Sequence, residues 1–338
     1  MRRADLHGSA QAAPVRDPAR DRRRKGASPL SARTLVLGYH TFGCLGLDAL
    51  LRHGFDVTAV FTHHDAPGEE VWWDSLAARA GSRGIPVHYP AGMEDPAVRA
   101  LVASCEPDFI FSFYFRFMLP PELLALAARG ALNLHGSLLP RYRGRAPVNW
   151  ALVNGETETG VSLHYMAARP DAGDLVDQEA VAIDFEETPR SLFAKLEKAA
   201  VVVLDRSLPR LLAGTAPRVP LDLGKGSCFG GRRPEDGQMD WSWPARRTFF
   251  LVRGVTHPYP GAFTFWQGRK VLVWWGKPVA QEHRAPPGTV LSVSPDGCLV
   301  AAGEGAFLAT RCQAEGGPEL DAHAFCRLYG IFPGSRLG

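Results

Sequence analysis

The feature that most constrains the fold is a regular alternation of short apolar runs with helical patterns across the first two thirds of the chain. This alternation is typical of an α/β fold, in which a parallel sheet carries helices on both faces. Strands are predicted at 34–39, 57–61, 85–87 and 108–113, and helices at 43–53, near 69–80 and from Asp95, where Pro96 suits the first turn.

The turn after the first predicted strand is rich in glycine, but not in the spacing of a dinucleotide site. Gly38, Gly43 and Gly46 do not fit the G-x-G-x-x-G pattern. In addition, no acidic residue clearly ends the second strand, where it would bind a ribose. The sequence therefore argues against a nicotinamide cofactor at this turn.

A long helix is predicted from Thr188 to about residue 212. Thr188 can cap it and Pro189 suits its first turn, whereas Pro209 is expected to kink or interrupt it. Beyond Asp240, short aromatic and β-branched runs between turn signals indicate a small β-rich domain. The predicted layout is a disordered basic extension at 1–32, an α/β domain at 33–214, a linker at 215–238 and a β-rich domain at 239–338.

The positive charge of the chain is concentrated in the extension. Residues 1–33 hold eight Arg, one Lys and three Asp, whereas the whole chain has a net charge of only +3. The remaining residues are therefore net acidic, which disfavours a polyanionic partner such as RNA. No run approaches the roughly 18 apolar residues of a transmembrane helix, and the extension lacks the apolar core of a secretory signal. We expect a cytoplasmic protein without membrane insertion.

The six cysteines are scattered along the chain and form no C-x-x-C pair. This spacing favours reduced thiols over a disulfide framework or a zinc site, so no metal is predicted.

The segment 131–171 contains the residues that suggest chemistry. If Asn133 and His135 lie on a strand, they point to the same side, because side chains alternate along a strand. The amide can donate to a carbonyl oxygen on which negative charge develops, and the imidazole can relay a proton. The alternative is a structural Asn and a buried, hydrogen-bonded His at a strand end.

Asp171 lies in a turn-prone segment that also contains Pro170 and Gly173. A carboxylate beside His135 would orient the imidazole and raise its pKa, although the sequence equally allows Asp171 simply to cap a turn. Between the two lies an arginine-rich stretch with Arg141, Arg143 and Arg145. These arginines can bind a carboxylate or phosphate, or they can form a solvated charge run; both interpretations stay open.

Taken in order, these motifs resemble the signature of the formyltransferases that use 10-formyltetrahydrofolate. The family pattern is N-x-H, S-L-L-P, R-G-x-A-P, T-G and D-x-G, which here correspond to 133–135, 137–140, 143–147, 159–160 and 171–173. The resemblance covers about residues 34–338, including the Cys228-Phe229-Gly230 segment. It implies a Rossmann-like N-terminal domain followed by a small open, OB-like β-barrel.

The resemblance also implies that Asn133, His135 and Asp171 form a catalytic set and that 10-formyltetrahydrofolate is the formyl donor. It implies folate contacts from Phe117, Met118, Leu119, Arg145, Ala167, Ala168, Arg169, Pro170 and Asp171.

Within the family, the stretch 135–161 is more similar to the branch that formylates UDP-4-amino-4-deoxy-L-arabinose, in the lipid A modification that gives polymyxin resistance. Members of that branch are often fused to a decarboxylase, which is expected to be absent here because the sequence ends at Gly338. The oligomeric state is left open.

Two other functions are considered. Methionyl-tRNA formyltransferases resemble this chain in domain layout. Where those enzymes have a basic loop, this chain has the acidic residues Asp65, Glu69 and Glu70, which would repel the phosphates of a tRNA. A non-catalytic protein that binds folate or a sugar nucleotide is the second alternative, and the intact set Asn133, His135 and Asp171 argues against it. The sequence therefore predicts small-molecule substrates and no tRNA.

Overall fold

A computed structural model describes residues 31–66 and 70–338. The predicted basic extension therefore lies outside the described residues except for Ser31 and Ala32, and so does Glu69 of the acidic loop. Ala32 is buried, and its carbonyl accepts a hydrogen bond from the backbone N–H of Asp56 at 3.0 Å.

The N-terminal domain contains a sheet of seven strands in the order β3-β2-β1-β4-β5-β7-β8 within the described residues. Strands β1 to β5 pair in parallel, as the alternating pattern predicts, whereas β7 pairs antiparallel with both β5 and β8. The strands are β1 Arg33–Gly38, β2 Asp56–Phe61, β3 Val87–His88, β4 Phe109–Phe113, β5 Gly130–His135, β7 Glu158–Tyr165 and β8 Leu175–Ala182.

Both faces of this sheet are covered. Neighbouring residues of β1 contribute to different buried clusters: Val36 belongs to one, whereas Leu35 and Leu37 belong to the other. This division follows from the alternation of side chains along a strand and explains why β1 is apolar throughout. The covering helices are α1 His40–Arg52, α2 Leu76–Gly81, α3 Pro96–Ser104, α4 Pro121–Leu124, α5 Pro147–Val153 and α6 Pro189–Ala213.

Helix α2 begins later than the sequence predicts. The expected start was near Glu69, but residues 70–75 are not helical, and the Ser75 side chain caps the helix by accepting from the Ala78 N–H at 3.2 Å. Trp72, just before the cap, packs against the core of the domain. Burial of this aromatic residue outweighs the helical propensity of the segment.

Helix α6 is not interrupted at Pro209, which was expected to kink or interrupt it. Thr188 caps it and Pro189 occupies its first turn as expected, and the helix continues through Pro209 to Ala213. A proline removes one intrahelical hydrogen bond. Here the cost is offset because Leu208 and Leu211 on either side are buried in the core.

The C-terminal domain is β-rich, as predicted. A sheet runs in the order β10-β11-β14-β13-β12, with β15 paired to β14, and together with the N-terminal sheet it confirms the predicted fold class. Its elements are α7 Ala245–Val255, β10 Ala262–Trp266, β11 Arg269–Val279, β12 Val290–Ser294, β13 Gly297–Ala301, β14 Ala306–Ala314, β15 Glu319–Asp321 and α8 Ala322–Tyr329. No helix in the described part of the chain is long and apolar enough to cross a membrane.

The connection between the domains is partly ordered. Two 3-10 turns, Leu223–Lys225 and Pro234–Gly237, flank a short strand, β9 Cys228–Phe229. Strand β9 pairs in parallel with β6 Arg143–Gly144, which lies in the arginine-rich stretch.

Helix α7 attaches the second domain to the first. The guanidinium of Arg253 is buried and donates to the backbone carbonyls of Asp184 and Phe185 at 2.8 and 2.7 Å. The Asn149 side chain donates in turn to the Gly254 carbonyl at 3.0 Å. These hydrogen bonds hold α7 against the domain that contains the predicted site.

Candidate active site

The structure brings Asn133, His135 and Asp171 together. The first two are on β5 and point to the same side of the strand, as predicted. Both contact Oδ1 of Asp171, which lies 3.4 Å from Asn133 Nδ2 and 3.7 Å from His135 Nδ1. The three side chains that the motifs singled out therefore converge around one carboxylate oxygen.

Asp171 is held in place by the backbone. Its φ of 49° lies in the left-handed region, and its Oδ2 accepts a hydrogen bond from the Gly144 N–H at 2.8 Å. Gly144 itself has a φ of 94°, and a Cβ added there would lie 2.3 Å from the carbonyl oxygen of Phe229. Only glycine suits this conformation and close approach, which explains the glycine of the R-G-x-A-P motif.

His135 has a defined tautomer. Its Nε2 lies 2.8 Å from the carbonyl oxygen of Tyr142, which can only accept, so Nε2 has the hydrogen. Nδ1 is then the basic nitrogen, and it faces Asp171. Burial lowers the pKa of His135, and the charge of Asp171 and the Tyr142 hydrogen bond offset this only in part. The ring is therefore neutral at physiological pH and can accept a proton on Nδ1.

Asp171 is ionised in the same range. Burial alone would raise the pKa of its carboxyl group. The interactions with His135 and His164 and the hydrogen bond from Gly144 outweigh burial and hold this pKa well below its usual range. An imidazolium formed on His135 would therefore have a fixed negative charge beside it.

A second histidine, His164, was missed by sequence reasoning. It is buried on β7, where its Nε2 lies 3.3 Å from Asn133 Nδ2 and 3.4 Å from Asp171 Oδ1, and its Nδ1 donates to the Tyr165 carbonyl at 2.9 Å. His164 is paired with Asn133 in the ladder between β5 and β7. The signal in the sequence was weak, because β7 also contains the polar residues Glu158, Thr159 and Ser162, and His164 becomes informative only when that pairing is known.

The predicted folate contacts come from separate segments of the chain, 117–119, Arg145 and 167–171. The segment 117–119 follows β4, which pairs with β5, so it leaves the sheet at the edge where His135 lies. Met118 is 59% exposed, whereas Phe117 is half-buried and Leu119 buried. Arg145 and residues 167–170 are exposed, and residues 167–170 lead directly into Asp171. The structure thus leaves Met118, Arg145 and the loop before Asp171 accessible to a ligand.

The arginine-rich stretch is not a uniform solvated run. Arg141 is exposed and pairs with Glu156 at 2.5 Å. Arg143, by contrast, is only 4% exposed, and its Nε and Nη1 have no hydrogen-bond partner among the described residues. The structure therefore separates the roles of the arginines, which the sequence left open.

No group of three or more His, Cys, Asp or Glu side chains within 31–66 and 70–338 is arranged to hold a metal ion.

Comparison with solved structures shows a shared fold at low sequence identity. The N-formyltransferase from Helicobacter canadensis, in complex with folinic acid and dTDP-3-aminofucose, is 16% identical, with 84% of this chain and 99% of that chain covered and a TM-score of 0.62. A 4-N formyltransferase from Francisella tularensis is 20% identical, with coverages of 72% and 97% and a TM-score of 0.59.

HypX from Aquifex aeolicus, in complex with tetrahydrofolic acid, is 20% identical with a TM-score of 0.57. The match covers 88% of this chain but 47% of HypX, so the chain spans about half the length of that protein.

Two family models match the sequence itself. The model described as formyl transferase matches residues 35–208, and the model described as formyl transferase, C-terminal domain, matches residues 232–330. The first alone spans half of the 338 residues, and the second accounts for most of the β-rich domain. The chain therefore belongs to the formyl transferase family.

Proposed function

We propose that this protein transfers a formyl group from 10-formyltetrahydrofolate to the amino group of a nucleotide-linked amino sugar in the cytoplasm. The finer proposal is that the acceptor is UDP-4-amino-4-deoxy-L-arabinose and that the product serves lipid A modification. The observation that supports formyl transfer is the convergence of Asn133, His135 and Asp171 around one carboxylate oxygen.

In the proposed reaction, the acceptor amine attacks the formyl carbon and a new C–N bond forms. Nδ1 of His135 takes the proton that the amine releases, and Asp171 stabilises the resulting imidazolium. The bond between the formyl carbon and the folate nitrogen then breaks, and His135 returns the proton to that nitrogen. Atoms and charges balance, and the reaction requires no metal.

Asn133 donates to the oxyanion of the tetrahedral intermediate. The Asn133 Nδ2 atom lies 3.3 Å from His164 Nε2 and 3.4 Å from Asp171 Oδ1. Both hydrogen bonds are therefore long. A charged oxyanion is a stronger hydrogen-bond acceptor than an imidazole nitrogen, so the bond to His164 can be exchanged when the intermediate forms.

Three lines of reasoning support an amino sugar as acceptor. The stretch 135–161 resembles the amino-arabinose branch. The Helicobacter canadensis relative binds dTDP-3-aminofucose, and another relative, WlaRD, is a sugar 3N-formyl transferase solved in the presence of dTDP. Asp65 and Glu70 are exposed at the place where a tRNA-binding loop would need positive charge. The finer proposal, that the acceptor is UDP-4-amino-4-deoxy-L-arabinose, is supported by the sequence resemblance.

One experiment tests the proposal. The purified protein is given formyl-labelled 10-formyltetrahydrofolate with UDP-4-amino-4-deoxy-L-arabinose in one reaction and with methionyl-tRNA in another. We expect label on the sugar nucleotide, with turnover reduced about 10²–10³-fold in Asn133→Ala and about 10²–10⁴-fold in His135→Ala.

Label on methionyl-tRNA alone would show that methionyl-tRNA, and not the sugar nucleotide, is the acceptor. Unlabelled products in both reactions, together with tight binding of either substrate, would favour the non-catalytic binding protein. If His135→Ala turned over nearly as fast as the wild type, the proposed base would be wrong.

A further inference from the structure

Four arginines without an acidic partner lie in and beside the segments that the resemblance implies to contact folate. They are Arg145, Arg169, Arg232 and Arg233. Other surface arginines pair with a carboxylate, as Arg206 does with Asp177 at 2.8 Å. Within the part of the chain that the structure describes, none of the four forms an ion pair. Positive charge is therefore left uncompensated next to the candidate active site.

The line of arginines begins at the turn that holds Asp171. Arg169 lies two residues before Asp171 and is exposed. The Oδ2 atom of Asp171 accepts from the Gly144 N–H at 2.8 Å, and the exposed Arg145 follows Gly144 directly. One hydrogen bond thus brings both arginines to the same turn, beside the proposed catalytic carboxylate.

The line continues into the linker between the domains. The Arg145 N–H donates to the Phe229 carbonyl at 3.0 Å, which holds Arg145 beside the residues that follow β9. A Cβ added at Gly231 would lie 3.7 Å from both Cδ and Nε of Arg145. Arg232 and Arg233 come immediately after Gly231. The cations of the linker therefore lie next to the Arg145 side chain.

Both linker arginines keep hydrogens for a ligand. The Arg232 guanidinium lies over the Trp150 ring, 4.5 Å from its centroid, and its Nη2 donates to the Asp236 carbonyl at 3.0 Å. Its other N–H groups are left over. The carboxylate of Asp236 accepts from the backbone N–H of Arg233 at 2.7 Å, and the Arg233 side chain is exposed.

The charge of the donor indicates which part of it meets these arginines. Formyltetrahydrofolate has its negative charge on its glutamate, so the cations among the implied contacts, Arg145 and Arg169, indicate where that glutamate lies. Arg232 and Arg233 lie further along the line. A poly-γ-glutamate tail would extend there, because each added residue leaves one α-carboxylate free. Guanidinium groups bind carboxylates through two parallel hydrogen bonds.

We propose that the donor is a polyglutamylated 10-formyltetrahydrofolate whose tail is bound by Arg145, Arg169, Arg232 and Arg233. The inference rests on the proposed function and deepens it, because it specifies the form of the donor. The tail takes no part in bond making or breaking, so it acts on KM for the donor. Each exposed charge contact changes affinity by about 1.5–5-fold, and salt screens it.

The experiment varies the length of the donor tail. KM for mono-, tri- and pentaglutamyl 10-formyltetrahydrofolate is measured with the proposed sugar nucleotide for the wild type, Arg233→Gln and Arg233→Glu. In the wild type, we expect KM to fall roughly tenfold from the monoglutamyl to the pentaglutamyl donor at low salt, and much less in about 0.5 M salt. Arg233→Gln should lose part of this fall. Arg233→Glu should lose more, because the reversed charge repels each added carboxylate.

The matched control is Arg327→Gln, which removes an exposed arginine on α8 in the other domain. This variant should keep the wild-type dependence of KM on tail length.

The outcomes separate the two proposals. A KM that does not change with tail length in an active wild type would overturn the tail site and leave the proposed function intact. Full dependence on tail length in Arg233→Glu would place the tail elsewhere and overturn the tail site as well. A rise in KM for the sugar nucleotide alone in Arg233→Glu would assign the arginines to the diphosphate of the acceptor, with the same consequence.

A binding measurement tests the tail site if no acceptor is formylated. Kd for mono- and pentaglutamyl 5-formyltetrahydrofolate is then measured by calorimetry for the wild type and Arg233→Glu. Tighter binding of the longer folate that is lost in Arg233→Glu would support the tail site while the proposed function fails. Equal Kd values for the two folates would overturn the tail site.

Discussion

At the scale of single residues, the hydrogen bond from His135 to the Tyr142 carbonyl decides which nitrogen is basic. It commits Nε2 as a donor and leaves Nδ1 for the proton, next to Asp171. A histidine identified by its motif thus acquires a specific role through one backbone carbonyl seven residues further along the chain.

This arrangement predicts the pH dependence of turnover. The reaction needs neutral His135 and ionised Asp171, and the pKa of each lies below its ordinary value, which for His135 is 6.5. Both groups are in the required state above their pKa values, so kcat at saturating substrates, which does not report the ionisation of the free acceptor amine, should stay level as the pH falls to 6.5 and decline only below it. A profile measured from pH 4.5 to 8 tests this, and a decline that begins above pH 6.5 would contradict it.

Asp171→Asn should shift the same profile. The carboxylate raises the pKa of His135, so its removal lowers that pKa further and moves the acid limb to lower pH, while the rate on the plateau falls. An unshifted acid limb would mean that Asp171 does not act on His135.

His164 is a positioning residue in this account. His164→Ala removes a partner of both Asn133 and Asp171, and the misplaced amide should reduce kcat by up to about 10²-fold with little change in either KM. Because the acid limb belongs to His135, the change in its position should be smaller than in Asp171→Asn. Steady-state kinetics across pH distinguish a positioning role of His164 from a general loss of structure. A general loss of structure would lower the fraction of active enzyme and leave kcat per active site unchanged.

How well the site could be predicted depends on how far apart its residues lie in the sequence. Asn133 and His135 are two residues apart on one strand, so their common side could be inferred from alternation alone. The contacts made by His164 and Gly144 depend on pairings of β5 with β7 and of β6 with β9, which no local pattern specifies. These residues become functional only through the tertiary structure.

At the scale of elements, the short pair β6 and β9 stabilises the turn that holds Asp171. Gly144→Ala would place a Cβ against the Phe229 carbonyl in a left-handed conformation, so we expect separation of the two strands and loss of the hydrogen bond to Asp171. The free energy of unfolding should fall by about 1–2 kcal/mol from the backbone conformation alone, and turnover should fall with it.

The control for this variant is Gly230→Ala, because a Cβ at Gly230 meets nothing within 4 Å. Urea denaturation and turnover are compared for the two variants. Equal free energies of unfolding and equal turnover in the two variants would show that β6 does not require glycine at position 144.

Elements with strong periodicity were predicted closely, and those set by burial were not. Strand β10 is one of the aromatic and β-branched runs predicted beyond Asp240. Thr188 was identified as a cap from its side chain, and α3 begins, as predicted, next to Asp95 with Pro96 in its first turn. The late start of α2 and the continuity of α6 through Pro209 depend instead on which residues the core buries, and a sequence pattern does not show that.

At the scale of the whole molecule, Arg253 links the two domains through buried hydrogen bonds to two carbonyls. Arg253→Met would leave the Phe185 carbonyl without its partner and remove one of two hydrogen bonds to the Asp184 carbonyl, which also accepts from the Glu187 N–H. We expect the free energy of unfolding to fall by about 1–3 kcal/mol. Because the guanidinium joins α7 to the first domain, the single unfolding transition should also separate into two. Arg247→Met, an exposed change on the same helix, should alter neither; calorimetry of both variants provides the test.

The architecture was predictable in outline because alternating elements determine an α/β sheet and β-rich runs determine the second domain. The antiparallel entry of β7 was not, since strand direction depends on the path of the loop between β5 and β7. The boundaries between domains stay a prediction. Strand β9 lies in the predicted linker at 215–238 but pairs with β6 of the first domain, so it bears directly on where the first domain ends.

Anyone who wishes to produce the first half of this protein alone should note where β9 lies. A truncation at residue 214 follows the end of the long helix, yet it discards Cys228 and Phe229, the backbone on which the Asp171 turn is built. Such a fragment would retain all three proposed catalytic side chains while losing the support that aligns them. A fragment that extends beyond Phe229 is the smallest from which we would expect a correctly assembled site.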